Sequence, residues 1–470
     1  MTPSAVAGTT PLDLRPALVA ILGAAHVRDE PGLGHGAALL VLPGSTAEVA
    51  AIVTLCHARG VSIVPQGGHT GLVDGCQSSL GQVVLSLNRF AQIEAVYPDE
   101  RVAVVQAGVA LETLQNVALA HGLEPGIDLA ARGSATIGGM VSTNAGGIMA
   151  HRYGVMRHRV LGLEAVLPDG SIFSDMTRVV KNTAGYDLKH IFIGAEGTLG
   201  VVTRVVIKLE HVPQATATVM LGLPSVAAAL QAINLALRSE AGHLRAAEGL
   251  WQSYIHLTAR AQDWEEPSFP LDQPINLLLM LGGADPAQLN AGIERIFGAV
   301  LDQYPTTTGI VATSKRQEAD LWRLREDTDQ LYRAHAAAPS YDVSVPLSEI
   351  RDYVDHVQRG LARIDGGIAP YVFGHLADGN LHIVLNRAGP LDAAIASAVE
   401  QVLYAPLRGL GGSFSAEHGV GAKRIAALAA TADPAKLATM ELIKQALDPQ
   451  RTLNPGKVLP QQPTASETFP

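Results

Sequence analysis

Apolar residues recur at helical spacing between positions 46 and 60, where Val49, Ile52, Val53 and Leu55 line one face. Thr46 is placed to cap that helix and Gly60 to end it. A β-rich run at 61–65 follows and breaks off in glycines, and the runs at 83–87 and 102–106 read as further strands. The pattern returns to helix at 111–121, dissolves into a glycine-rich loop over 125–155, and gives strands at 160–167 and 200–209. These elements predict an α+β domain over residues 35–213, preceded by a helical extension at 1–34. A second region opens near Thr216. Strands at 217–221 and 275–281 alternate there with helices at 225–239 and 287–299. That arrangement predicts a sheet with helices on one face, within a domain spanning 214–423. Residues 424–460 read as a helical segment packing back on the first domain, and 461–470 as a flexible tail.

Composition narrows the choice. The chain has 470 residues, 47% of them hydrophobic, enough for two or three cores. Its 47 glycines show no repeat and gather in short loops, where backbone must approach something closely. A net charge of −10 without a basic cluster argues against nucleic acid as a partner. An anionic substrate would then need a local positive site made by a metal, an arginine or helix N-termini. Cys56 and Cys76 read as reduced thiols and not as a disulfide scaffold. Residues 1–20 hold Asp13 and Arg15 and no continuous apolar run, so no signal peptide is read there. No stretch reaches the ~18 apolar residues of a membrane span, and the cytoplasm is the expected location.

Three stretches offer backbone to an anion. In Pro65-Gln66-Gly67-Gly68-His69-Thr70-Gly71 a strand runs into bare glycines whose N–H groups can nest phosphate oxygens, although a plain tight turn explains the same letters. Next come Pro125-Gly126-Ile127-Asp128 and Gly133-Ser134-Ala135-Thr136-Ile137-Gly138-Gly139-Met140-Val141-Ser142-Thr143-Asn144-Ala145-Gly146-Gly147. Glycines alternate there with small hydroxyl and amide residues, while Ile137, Met140 and Val141 argue for burial. Such a run suits a large flat ligand with a pyrophosphate laid along the backbone. Finally Lys181-Asn182-Thr183-Ala184-Gly185-Tyr186-Asp187-Leu188 and Ile193-Gly194-Ala195-Glu196-Gly197-Thr198-Leu199-Gly200-Val201 fuse a small-residue loop to a strand. Together the three resemble the FAD domain of the vanillyl-alcohol-oxidase (p-cresol methylhydroxylase) superfamily. The resemblance implies non-covalent FAD beside Pro65, Gly67, Gly68, His69, Thr70, Gly71, Pro125, Gly126, Ser134, Thr136, Gly138, Ser142, Asn144, Gly146, Gly147, Glu196, Gly197 and Val201. It also implies that Asn454, in Asn454-Pro455-Gly456-Lys457, returns to the flavin. His69 falls in the loop where some relatives carry a covalent linkage.

The segment Tyr371-Val372-Phe373-Gly374-His375-Leu376-Ala377-Asp378-Gly379-Asn380-Leu381-His382-Ile383-Val384-Leu385 predicts a hairpin turning at Asp378-Gly379. The turn carries His375 back toward His382, and two facing imidazoles begin a metal site. Such a site needs a third, anionic ligand and open positions for substrate. Glu417, in Ser415-Ala416-Glu417-His418-Gly419-Val420-Gly421, suits that place, and His418 beside it suits a base. The pattern His-x-x-Asp-Gly-Asn-x-His with Glu-His resembles the metal-dependent D-2-hydroxy acid dehydrogenases over residues 35–460. That group holds D-2-hydroxyglutarate dehydrogenase, D-lactate dehydrogenase and the glycolate oxidase D subunit.

The resemblance implies a ferredoxin-like cap domain after the FAD domain, and a divalent ion on His375, His382 and Glu417. Zinc is the expected ion, with manganese or another as alternatives. It makes His418 the catalytic base and Arg325, Asn380 and His418 the substrate-binding residues. One departure concerns the substrate. Ser340 and Asp329 stand where the hydroxyglutarate enzymes carry a Lys and a Thr. A second substrate carboxylate would lose a cationic partner, about 1–3 kcal/mol, unless Arg333, His335 or Arg316 compensates.

The implied activity is metal-assisted oxidation of a D-2-hydroxy acid, of D-2-hydroxyglutarate, D-malate or D-lactate type, to the 2-keto acid by hydride transfer to flavin N5. Electrons would pass to an electron-transfer-flavoprotein type of acceptor or to a quinone, which would make the enzyme peripheral to a membrane. A homodimer is compatible with the sequence. The alternatives are a glycolate-oxidase-type subunit of a complex and a metal-independent FAD oxidase of an alcohol or sugar.

Overall fold

The computed structural model describes residues 10–29, 39–264, 266, 269 and 271–460. The tail expected at 461–470, and parts of the extension expected at 1–34, lie outside the described residues. The chain divides into two compact units, one holding residues up to 146, 153–212 and from 417 onward, the other 147–152 and 213–416.

In the first unit α1 (Arg15–Leu22) leads into β1 (Val27–Arg28), which pairs antiparallel with β2 (Leu39–Val41). The amino-terminal segment is therefore part of a sheet, and Leu14, Leu18, Leu22 and Val27 share a core with Val49, Ile52 and Ile63. Helix α2 (Thr46–Arg59) is capped by Ser45, whose hydroxyl accepts from the Glu48 N–H, and not by Thr46. Thr46 is already inside the helix and spends its hydroxyl on Glu164, a partner far away in sequence. Gly60 ends the helix in the left-handed region at φ 64°. Strands β3 (Ser62–Gln66) and β4 (Gln82–Ser86) complete a four-stranded sheet of order β1-β2-β4-β3, in which β2, β4 and β3 run parallel.

A second sheet follows in the same unit. It contains β5 (Ile93–Tyr97) and β6 (Val102–Gln106), and later strands named below. Between them in the chain come α3 (Leu111–Leu119), the short β7 (Leu123–Glu124), α4 (Ile137–Thr143), α5 (Ala150–Tyr153), which except for Tyr153 groups with the other unit, and α6 (Met156–Arg159). Helix α4 sits inside the stretch expected to be loop. Ile137, Met140 and Val141 fall at i, i+3 and i+4 and are buried, which outweighs the cost of two helical glycines. Gly138 is needed there: a Cβ on it would lie 2.5 Å from the Ala107 methyl. The sheet closes with β8 (Val160–Val166), β9 (Ile172–Asp175) and β10 (Val201–Lys208), in the antiparallel order β5-β6-β10-β8-β9. The short β11 (Glu210–His211) pairs with β7. Arg159 is buried within this unit and donates to Glu210 (2.8 Å) and to the carbonyls of Lys208 and Pro125.

The second unit is built on β12 (Ala215–Leu223), α7 (Val226–Leu237), β13 (His243–Trp251), α8 (Gln252–Ala261), β14 (Ile275–Gly283), α9 (Pro286–Gln303) and β15 (Thr308–Val311). It continues with α10 (Lys315–Glu326), α11 (Asp329–Ala334), β16 (Ser340–Ser344), α12 (Ile350–Ile364), β17 (Pro370–His375), β18 (Asn380–Leu385) and α13 (Ala393–Leu410). Its seven strands lie in the order β15-β12-β14-β13-β17-β18-β16, every neighbouring pair antiparallel.

Helices cover both faces of this sheet, not one as expected. Tyr254, Ile255, Leu321, Leu324 and Leu331 of α8, α10 and α11 pack with Met220, Leu250, Leu278 and Phe373. Strand side chains alternate, so Leu221 and Leu281 point the other way. There α9 approaches closely: Gly309 is hemmed in by Leu221 and Phe297, and Gly292 lies under Leu281.

The chain then returns to the first unit. Residues 417–423, expected in the second domain, group with the first. Val420 and Gly421 donate their N–H groups to Glu196, and Ala422 donates to the Val73 carbonyl. Helices α14 (Ile425–Thr431) and α15 (Pro434–Leu447) follow. Leu453 then bridges Ile63 in parallel, flanked by Ile63 N–H to Thr452 O and Asn454 N–H to Ile63 O, both 2.8 Å. Buried Lys444 fastens this end through Asp448 (2.6 Å) and the carbonyls of Thr198 and Leu453. Among the described residues no helix is long and apolar enough to cross a membrane.

Candidate functional site

A cavity of about 300 Å³ opens in the first unit where β3 ends. Its floor is the glycine loop. Gly67 and Gly68 lie so close to the second small-residue stretch that a Cβ on Gly68 would stand 1.8 Å from the Ser134 carbonyl oxygen, and one on Gly67 2.3 Å from Thr136 Oγ1. The sequence places glycines there because backbone rests on backbone. Against Pro65 at the start of that loop, Glu196 and Gly197 turn through the left-handed region (φ 52° and 71°) and bring the start of β10 to the cavity. Burial raises the Glu196 carboxyl above the usual carboxylate range, against the two N–H bonds from Val420 and Gly421.

Of the expected FAD neighbours, Pro65, Gly67, Gly68, His69, Thr70, Gly71, Thr136, Gly138, Ser142, Gly146, Glu196, Gly197 and Val201 line this cavity. Pro125, Gly126, Ser134, Asn144, Gly147 and Asn454 are not in its lining. Their contacts explain why. Pro125 and Gly126 abut Arg159, and the Ser134 carbonyl supports Gly68 from behind. Asn144 ends α4 in the left-handed region and accepts from the Arg157 N–H; Gly147 groups with the second unit. Asn454 ties the Gly75 and Glu196 carbonyls together. Sequence reasoning overlooked Gln66, which is buried and holds the loop by bonding the Cys76 carbonyl and the His69 ring.

The cavity suits a flavin nucleotide. Thr136 Oγ1 is buried on its wall without a hydrogen-bond partner, a polar atom a ligand would satisfy. Glu417 and His418 line the same cavity. Both cysteines are free thiols: Cys56 is buried, which pushes its thiol to about 12, and Cys76 lines the cavity.

The second unit carries a polar cluster in the middle of an apolar face. The hairpin turns at Asp378-Gly379 as the sequence predicts, with Gly379 at φ 81°. Phe373 pairs with His382, Glu248 with His375, Asp342 with His382 and Leu250 with Phe373. Cross-strand partners share a face, so Glu248, His375, His382, Asn380 and Asp342 converge. The two imidazoles stand edge to face, centroids 5.3 Å apart. Each is tethered at Nδ1 by a fully buried carboxylate, His375 by Glu248 at 2.7 Å and His382 by Asp342 at 3.3 Å. Burial lowers the His382 imidazole below its ordinary value, while Asp342 works the other way. Rings held at Nδ1 by carboxylates turn Nε2 outward, the arrangement that divalent metal ligands adopt.

Glu248 was not foreseen from the sequence. Its second oxygen accepts from Arg325 Nε at 2.7 Å. Burial alone would raise its carboxyl, but His375 and Arg325 hold it down at about 2. Arg325 is itself buried, with its guanidinium 5.0 Å from the Phe373 ring centroid. Asn380 donates to Asp342 and to the Val343 carbonyl, and its Oδ1 is buried without a partner.

Ser340 lies two residues before Asp342 on β16, hence on the same face, opposite Val384 and one row beyond His382. Among the suggested compensating cations, Arg316 is a surface side chain paired with Asp320 and Arg333 is exposed. His335 is half-buried and bonded to the Tyr371 hydroxyl at 3.1 Å. Asp329 is exposed in the first turn of α11.

Comparison with known proteins finds two family models along the chain, the second reaching past residue 416 into the segment that returns to the first unit. Residues 37–175 match the FAD binding domain, and residues 212–458 match the C-terminal domain of FAD linked oxidases. A mitochondrial D-2-hydroxyglutarate dehydrogenase of Bos taurus is 35% identical over 430 residues, 90% of this chain and 77% of that protein. A D-2-hydroxyglutarate dehydrogenase of Xanthomonas citri pv. viticola is 36% identical over 426 residues, 89% of this chain and 88% of that one. Among solved structures, p-cresol methylhydroxylase is similar with a TM-score of 0.75 at 18% identity, covering 97% of this chain and 98% of that chain. The 4-ethylphenol oxidase of Gulosibacter chungangensis gives 0.74 at 19%, covering 98% and 99%. At such identities the solved structures show the fold: an α+β chain of the vanillyl-alcohol-oxidase (p-cresol methylhydroxylase) type.

Proposed function

The chain belongs to the family of FAD-linked oxidases, and from that premise we propose that it oxidises a D-2-hydroxy acid to the 2-keto acid. The observation that carries the proposal is the pair of carboxylate-tethered histidines beside Arg325 and Asn380 on one face of the second unit's sheet. D-2-hydroxyglutarate, on which the relatives' names agree, is the first substrate to try; D-malate and D-lactate follow, because Ser340 offers no cation to a second carboxylate.

FAD, held in the first unit's cavity, supplies the hydride acceptor, and a divalent ion, zinc or alternatively manganese, supplies Lewis acidity to the substrate's carboxylate and 2-hydroxyl. His375 and His382 would hold that ion, with Glu417 proposed as third ligand on the sequence motif. Arg325 has committed Nε to Glu248 and would meet the substrate carboxylate with its terminal nitrogens. Asn380 Oδ1 is placed to accept from a substrate donor. His418, on the cavity wall, would take the 2-hydroxyl proton as base. Electrons would leave to an electron-transfer flavoprotein or a quinone.

Anaerobic flavin absorbance tests this reading. Purified protein is mixed with each acid, with and without prior chelation. Bleaching by one acid that is lost on chelation and restored by zinc is the expected result. Bleaching that survives complete metal removal would overturn the metal assignment, and no bleaching by any acid would overturn the substrate class.

A further inference from the structure

We infer that Glu248 is a positioning residue that fixes the tautomer of His375 and the direction of Arg325 together, so that one carboxylate sets both ion affinity and substrate-carboxylate affinity. The inference rests on the proposed metal and substrate roles of those two residues.

Glu248 sits on central strand β13 with no exposed surface, directly across from His375 in the β13–β17 ladder. Oε1 meets His375 Nδ1 and Oε2 meets Arg325 Nε, each at 2.7 Å. An ionised carboxylate can only accept hydrogen bonds, so His375 carries a proton on Nδ1, and the neutral ring that binds an ion presents its lone pair at Nε2. The same carboxylate holds the guanidinium by its Nε edge and so fixes the direction in which its terminal nitrogens point. The neighbours leave Glu248 little freedom to move. Tyr254 stacks on Phe373 with centroids 4.1 Å apart and donates its hydroxyl to the Arg325 carbonyl, while Phe373 lies under the guanidinium.

Glutamine has almost the same shape but cannot replace this carboxylate. It has one acceptor and one donor end. If its oxygen serves Arg325, its NH2 faces Nδ1 and forces the proton onto Nε2. If its oxygen serves His375, its NH2 faces the Arg325 N–H. Either way one of the two functions is lost.

The test uses full-length, FAD-loaded, metal-stripped protein titrated with Zn2+ by calorimetry, with substrate KM and kcat measured separately at saturating Zn2+. Glu248→Gln should lower Zn2+ affinity by roughly 10–100-fold or raise KM by a similar factor, with the flavin spectrum retained. Glu248→Asp keeps two acceptors and should recover part of the loss. Arg325→Met should raise KM and, because Glu248 still holds His375, lower Zn2+ affinity by less than Glu248→Gln does. A Glu248→Gln protein that binds Zn2+ and substrate like wild type overturns the inference, even if it melts earlier. Wild-type protein that takes up no Zn2+ overturns the metal reading beneath it instead, a result that the variants cannot mimic.

Discussion

Alanine at Gly68 should cost the protein its cofactor. The Gly68 Cβ would stand 1.8 Å from the Ser134 carbonyl oxygen, so loop and stretch must part by at least about 1.2 Å to reach even a 3.0 Å contact. Neither side yields cheaply. Ser134 and Ala135 are both bonded to the Ala131 carbonyl, and Ala135 is buried in the core behind them. Overpacking of this kind costs about 1–3 kcal/mol. The strain falls on the loop that cradles the ligand, so FAD affinity should drop roughly 5–150-fold. FAD retained after dialysis and the dissociation constant from flavin fluorescence quenching are the readouts. Gly68→Ala protein that keeps FAD as wild type does would refute the close-approach argument.

Three further outcomes are expected. Arg159→Met removes the partner of two carbonyls and one of the cations on Glu210, which keeps Lys208, and should cost about 1–3 kcal/mol, a melting temperature lower by roughly 2–12 °C by calorimetry; an unchanged melting curve would refute it. Glu248 has a folded value near 2, depressed from 4.5, so its ionisation contributes stability present above the ordinary carboxylate range and lost as pH falls toward 2. Denaturation of metal-stripped protein between pH 5 and pH 3 should therefore show a steeper slope than that of Glu248→Gln, and equal slopes would count against the depressed value. Ser340→Lys restores a cation on the face that bears His382, and should shift kcat/KM toward D-2-hydroxyglutarate over D-lactate by about tenfold or more; a ratio that does not move would separate Ser340 from the substrate's far end.

The histidine hairpin was legible because its cause is local. Asp378-Gly379 supplies the turn residue at positive φ, and strand alternation then puts both rings on one face. Glu248 was not legible. Its strand reads Arg-Ala-Ala-Glu-Gly, composition that favours helix, and its partner His375 is 127 residues away. Helix α4 was hidden by the opposite effect: its glycines read as loop, while Ile137, Met140 and Val141 already carried the helical spacing. The Ser45 cap lay one residue from the expected one, the ordinary error of helix ends. The FAD loop, tight wherever backbone meets backbone, was readable from its glycines, but the roles of Asn454 and Asn144 as ties were not, since a side chain's bond to a distant carbonyl leaves no periodic trace.

The parallel bridge between Leu453 and Ile63 has a consequence for synthesis on the ribosome. The first unit begins near the amino terminus but receives its last strand partner, and the Glu417–His418 part of its cavity wall, only after the whole second unit has been made. About 240 residues separate Val212 from Leu453, which at ~5–20 residues per second is a wait of roughly 12–50 s. During that interval the β3 edge has no Thr452–Asn454 to pair with, and the nascent chain carries an open strand edge that a chaperone, or another copy, can reach.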